Sequence, residues 1–168
     1  MNKTRHPVLL LLLTLIITTF AACRHKDMSF PPELKVGNNV PSFSVTALDG
    51  KTYSNKTLMA SGTPFTVFII GAKCPYCHSR TEQLRRVLPE GYPILALSKS
   101  PEDETRAFLE QYGQPFPAAV PDSYTIRLFN QKELPLLVVF GPDGKVKTLI
   151  RREEMEDEEL FVLITNVN

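Results

Sequence analysis

Six residues, Phe65-Thr66-Val67-Phe68-Ile69-Ile70, run almost without a polar atom into Gly71-Ala72-Lys73, and Cys74-Pro75-Tyr76-Cys77 then opens a helical pattern. No other stretch limits the fold as much. An apolar run of strand length, rich in β-branched and aromatic residues, fits a strand covered on both faces, as in parallel sheets flanked by helices. Proline suits the first helical position, where a missing N–H loses no bond. The helix is expected to run from Pro75 to Leu88, with Leu84, Val87 and Leu88 on one face and Pro89, Gly91 and Pro93 ending it.

The flanking sequence supplies the rest of an α/β domain. Phe43, Val45 and Ala47 alternate with serine and threonine, Asp49-Gly50 turns, and Lys51 to Tyr53 returns, which makes a hairpin. Ile94 to Leu97 is a second buried strand. Ser100-Pro101-Glu102-Asp103 reads as a cap, a first-turn proline and acids at the positive helix end, with Phe108, Leu109 and Tyr112 turned inward. A short strand over Phe116 to Val120 and a brief helix from Asp122 or Ser123 to Phe129 follow. Leu136 to Phe140 and Lys145 to Ile150 form an antiparallel pair around Pro142-Asp143-Gly144. Glu153 to Val167 closes the chain as a helix with Leu160, Phe161 and Ile164 inward. Strand–helix alternation predicts a mixed sheet, parallel at its centre, with helices on both faces.

Two thiols separated by two residues at a helix start suit disulfide exchange. Cys74 at the cap lies where unpaired N–H groups and the helix dipole favour a thiolate. Cys77, one turn in, is placed to attack a mixed disulfide formed at Cys74. Lys73 and His78 add protonatable character nearby, Lys73 as a modest electrostatic neighbour and His78 as a solvated helix residue. The same cysteines could instead form a structural disulfide, which closes a tiny loop and stabilises little. A zinc site would need two further ligands, and no second CxxC or HxxxH is present. A Cu(I) site would suit the soft thiolates.

The N-terminus is a separate matter. Lys3 and Arg5 precede a short aliphatic run, Val8 to Ile17, which small residues follow. This is the layout of a secretory signal, and the run is short for a stable membrane helix. Phe20-Ala21-Ala22-Cys23 resembles the bacterial lipoprotein signal, in which the cysteine receives lipid and becomes the new N-terminus. The organisation expected is a signal over 1–22, a polar, proline-ended tether over 23–33 and a domain over 34–168. Losing Lys3 and Arg5 with the leader takes the formal charge from +1 to −1. That leaves no polybasic patch for a membrane and no electrostatic footprint for nucleic acid. Apolar residues at 43% and charged residues at 22% exclude wholesale disorder, and three cysteines exclude a disulfide-stapled scaffold.

Val36-Gly37, Val40-Pro41-Ser42-Phe43 and Leu48-Asp49-Gly50-Lys51 resemble the opening of thioredoxin-like proteins of the peroxiredoxin/envelope-reductase group. Cys74-Pro75-Tyr76-Cys77 is similar to the thioredoxin-family active site in its glutaredoxin variant. Leu134-Pro135 falls where that fold places its cis-proline, and Gly141 to Val146 resembles the turn that follows. The resemblance covers roughly residues 34–168. It implies a thioredoxin-like fold and a thiol–disulfide oxidoreductase; together with the lipoprotein-like leader, it implies a protein of a bacterial envelope, periplasm-facing and held by lipid at Cys23. Cys74 would be the attacking thiol, Cys77 the resolving thiol and Pro135 the cis-proline facing them. Cysteine-containing envelope proteins and a redox partner protein would be its partners, with no organic cofactor. A copper-delivery module using the same two thiols is the alternative. Arg80 stands where cytochrome-maturation reductases of the group carry a glutamate, and Gly71 where peroxiredoxins carry threonine or serine. Both departures speak against those activities.

Overall fold

The structure is a computed structural model and describes residues 31, 33–129 and 133–167. The leader, Cys23 and most of the tether lie outside the described residues. A five-stranded sheet with the order β5-β4-β3-β6-β7 organises the domain. Its strands are β3 (Phe65–Ile70), β4 (Ile94–Ser98), β5 (Ala118–Ala119), β6 (Leu136–Phe140) and β7 (Val146–Ile150). β3 pairs parallel with β4 and antiparallel with β6, and β6 pairs antiparallel with β7. The hairpin β1 (Ser44–Thr46) and β2 (Thr52–Ser54) forms a two-stranded sheet of its own. This is the mixed, thioredoxin-like α/β fold that the sequence predicts.

All six residues of β3 are buried, because the side chains of a central strand alternate into two separate cores. Phe65, Val67 and Ile69 meet Phe43, Val45 and Phe129 on one face. That face also receives Leu58 from α1 (Asn55–Met59), while α4 (Ser123–Leu128) lies just before Phe129. Phe68 and Ile70 face the other way, onto Leu84 of α2 (Pro75–Val87), Phe108 of α3 (Glu102–Glu110) and Leu160 and Ile164 of α5 (Asp157–Thr165). The site helix α2 therefore packs on the second face and is anchored by Cys77 and Leu84, both fully buried.

Three differences from the sequence reading have local causes. A short helix, α1, follows the hairpin, started by a capping box in which Ser54 and Thr57 satisfy each other's backbone N–H. The last helix begins at Asp157 instead of Glu153, because residues 153–155 are held as a loop by α2. Phe161 points outward and is 40% exposed, since Leu160 and Ile164 already fill the inward positions four residues apart.

Candidate active site

β3 ends at Ile70, and the chain crosses Gly71, Ala72 and Lys73 to reach Cys74 at the N-cap of α2. Cys74 is in an extended conformation, with φ −91° and ψ 112°, so its side chain turns back over the first turn. The Cys77 N–H donates to Cys74 Sγ at 3.2 Å, and the Cys74 carbonyl accepts from Cys77 N–H at 2.9 Å. A thiolate at Cys74 thus has an N–H donor and the positive end of the helix before it. Both thiols are free; Cys74 is half-buried and Cys77 is 0% exposed. Burial pushes the Cys77 thiol far above its ordinary range. Its hydrogen bond to Cys74 and the charge there add to the rise, and a backbone hydrogen bond at Gly71 opposes it. The pair is asymmetric, with Cys74 half-buried and Cys77 fully buried.

The Leu134–Pro135 bond is cis and Pro135 is buried. Leu134 comes close to the start of the cysteine loop. A Cβ added at Gly71 would lie 2.9 Å from Leu134 Cδ1 and 3.9 Å from Cys74 Cβ. Gly71 is therefore the point where the Leu134 side chain meets the backbone before the dithiol, and an added Cβ there would displace the end of that side chain. Pro75, Tyr76 and Pro135 share an open groove of about 640 Å³ with Arg152 and the 153–157 segment.

The loop before Cys74 is fixed by groups that the sequence did not single out for this task. Ser100, expected to cap a helix, instead accepts the Ala72 N–H on Oγ at 2.9 Å; α3 starts after Pro101 and has no side-chain cap. Lys73 pairs with Glu104 at 2.6 Å and is drawn towards α3, so it offers less charge to Cys74 than its sequence neighbourhood suggests. His78 is not a solvated helix residue. Its Nε2–H donates to the Ala72 carbonyl at 3.0 Å, its Nδ1 meets the Tyr112 hydroxyl at 2.7 Å, and its ring stands edge-on to Phe108. Tyr112 had been legible only as an apolar helix residue. Substituting His78 with leucine leaves the Ala72 carbonyl and the Tyr112 hydroxyl without these partners in a half-buried place. The expected loss is about 2 kcal/mol of stability, from two lost bonds at about 1 kcal/mol each, read by urea unfolding.

Comparison with known proteins follows the same lines. The model of the AhpC/TSA family matches residues 36–149. A thiol-disulfide oxidoreductase ResA from Bacillus thuringiensis (strain Al Hakam) is 27% identical over 132 residues, 75% of each chain. The thiol:disulfide interchange protein DsbE of Haemophilus influenzae is 29% identical over 89 residues, 52% of this chain and 49% of that one. Among solved structures, a thioredoxin-family thiol:disulfide interchange protein from Chlorobium tepidum superposes with a TM-score of 0.69 at 19% identity, covering 79% of this chain and 97% of that one. A protein from Bacteroides thetaiotaomicron gives 0.67 at 16% identity, covering 82% and 94%.

Proposed function

Since the chain belongs to the AhpC/TSA family, we propose that it is a thiol–disulfide oxidoreductase that trades two electrons between the Cys74–Cys77 pair and disulfides of envelope proteins. One observation carries this reading: a half-buried sulfur capping a helix, bonded by the N–H of a fully buried second thiol, beside a cis-proline segment. In the reducing direction the Cys74 thiolate attacks one sulfur of the substrate disulfide. A Cys74–substrate bond forms and the other substrate sulfur leaves as a thiolate. Cys77 then gives up its proton and attacks Cys74 Sγ. The second substrate sulfur departs, the Cys74–Cys77 disulfide forms, and two electrons and two protons have passed to the substrate. A protein dithiol restores the pair, and the oxidising direction is the same sequence reversed. Pro135 serves as the backbone edge along which the substrate strand lies.

The test is redox equilibration of the purified chain with a dithiothreitol buffer of set ratio. Reversible two-electron cycling of Cys74 and Cys77 supports the reading, and the midpoint gives the direction. The alternative, copper delivery through the same thiols, predicts one tightly held Cu(I) that survives competition with a thiol buffer. Among the described residues no group of three or more His, Cys, Asp or Glu is placed to hold a metal ion.

The domain works at a membrane surface through lipid on Cys23. Support comes from the sequence: small residues end an apolar run directly before that cysteine. Among the described residues no helix is long and apolar enough to cross a membrane. Each buried lipid methylene adds about 0.8 kcal/mol of membrane affinity. Mass spectrometry of membrane-extracted protein is expected to show an acylated N-terminal Cys23. Substitution of Cys23 by serine is expected to release the protein into the soluble fraction with its thiol chemistry intact. An intact Met1 on the membrane-bound form would refute this.

A further inference from the structure

Arg152 lies two residues beyond β7, yet it reaches the dithiol motif. Its guanidinium sits over the Tyr76 ring, 5.0 Å from the centroid, and its Nε is 3.6 Å from a Glu133 carboxylate oxygen. Tyr76 stands between the two cysteines, and Glu133 stands two residues before the cis-proline. One cation therefore bridges the motif and the segment opposite it. The backbone that carries it is bolted to α2. Arg80 donates to the Glu153 carbonyl at 2.7 Å, and Gln83 donates to the Met155 carbonyl at 2.9 Å. A guanidinium placed over an aromatic ring still has N–H groups with which to hold a carboxylate.

The Glu133 contact marks what this edge accepts. Both side chains are about half exposed, 47% and 55%, so the pair is weak and easily exchanged. The other arginines of the groove are committed: Arg80 is buried, and Arg86 is held by Asp157 at 3.1 Å. Beyond Arg152 the groove wall turns acidic at Glu153, Glu154 and Glu156, which repels further negative charge.

We infer that Arg152 is a specificity-determining residue that selects protein substrates carrying a single carboxylate beside the reacting cysteine, which takes the place of Glu133 on the guanidinium. Neutral or basic residues follow along the acidic wall. The inference rests on the oxidoreductase reading above, because it names the substrate class of that same dithiol.

The test uses the full chain in its reduced form. Two synthetic peptides each carry one cysteine as a mixed disulfide with pyridinethiol and differ only in the neighbouring residue, glutamate or lysine. Each rate is divided by the same variant's rate with dithiodipyridine, a small neutral disulfide. The natural protein is expected to favour the glutamate peptide about fivefold at low salt, as for a charge at an interface rim. R152A removes the preference, R152E inverts it, and E133Q raises it about twofold by removing the internal competitor. Equal normalised rates for the two peptides, or a preference untouched in R152A, overturn the inference and leave the oxidoreductase reading standing. No reaction of the natural protein with dithiodipyridine removes both.

Discussion

Replacing Cys77 with serine leaves partner proteins covalently attached at Cys74, and replacing Cys74 with serine abolishes both turnover and attachment. The expected loss of steady-state insulin reduction is at least about a thousandfold for Cys74→Ser, the order seen when a catalytic nucleophile is removed. The asymmetry follows from the geometry. Cys74 is reachable from solvent and has the Cys77 N–H at 3.2 Å and the helix end to hold its negative charge. Cys77 is fully buried, so a folded substrate cannot reach it first. Attack at Cys74 still proceeds in Cys77→Ser, but nothing follows it, and the mixed disulfide persists until an external thiol reverses it. Non-reducing gels of envelope extracts should show the adducts, and dithiothreitol should dissolve them. Trapping by Cys74→Ser and not by Cys77→Ser would reverse the roles of the two thiols. A chain that traps nothing in either form and keeps Cu(I) would be a copper module.

Much of the frame was legible because it rests on periodicity. The two-sided burial of β3 follows from its run of apolar residues, and the parallel β3–α2–β4 unit follows from strand–helix alternation. The start of α2 was readable from Cys74-Pro75 alone, since the cap geometry and the proline at the first position are local properties. The α1 helix is equally local: Ser54 and Thr57 have capping-box spacing, though threonine in place of the usual glutamate weakens the signal. The start of α5 was not local. Glu153 to Glu156 has helical composition, but Arg80 and Gln83 take the 153 and 155 carbonyls and hold that stretch open. Propensity gives way here to partners about seventy residues away.

The same reason hides the groups around the dithiol. The sequence shows Lys73, Ser100, His78 and Tyr112 only as a charged neighbour, a helix cap, a solvated helix residue and an apolar helix residue, and their contacts appear only when the segment around α3 lies against the cysteine loop. Lys73 shows the hazard of reading charge from adjacency. It neighbours Cys74 in the chain, yet its ammonium lies on Glu104. Arg152, 76 positions from Tyr76 in sequence, bears on the motif more directly. Sequence reasoning finds the atoms that react when chemistry demands a fixed spacing, as in CxxC. It misses Arg152 beside Tyr76, because that proximity is set by the fold.

The step in which Cys77 displaces the substrate from Cys74 is expected to accelerate about tenfold per pH unit from pH 6 to 9, without levelling off. Burial is the main reason that the Cys77 thiol sits far above its ordinary range, and burial persists once Cys74 is tied up in a mixed disulfide. The hydrogen bond and charge of Cys74, which also raise it, weaken in that state. Well below the pKa, the thiolate fraction grows tenfold per unit, and the rate follows it. Loading Cys74 with a pyridylthio group and following release of the pyridinethione measures the step directly. An ordinary exposed thiol would level off near pH 8.5, and such a plateau would contradict the burial argument. Stability offers an independent check. The folded-state value is raised above the unfolded one, so the contribution of neutral Cys77 is complete below about pH 8.5. Above it, the contribution falls by about 1.4 kcal/mol per pH unit until the folded thiol itself ionises. Urea unfolding of the reduced protein and of reduced Cys77→Ser, both of which keep Cys74, should therefore diverge between pH 8 and 10, with the natural protein losing stability faster.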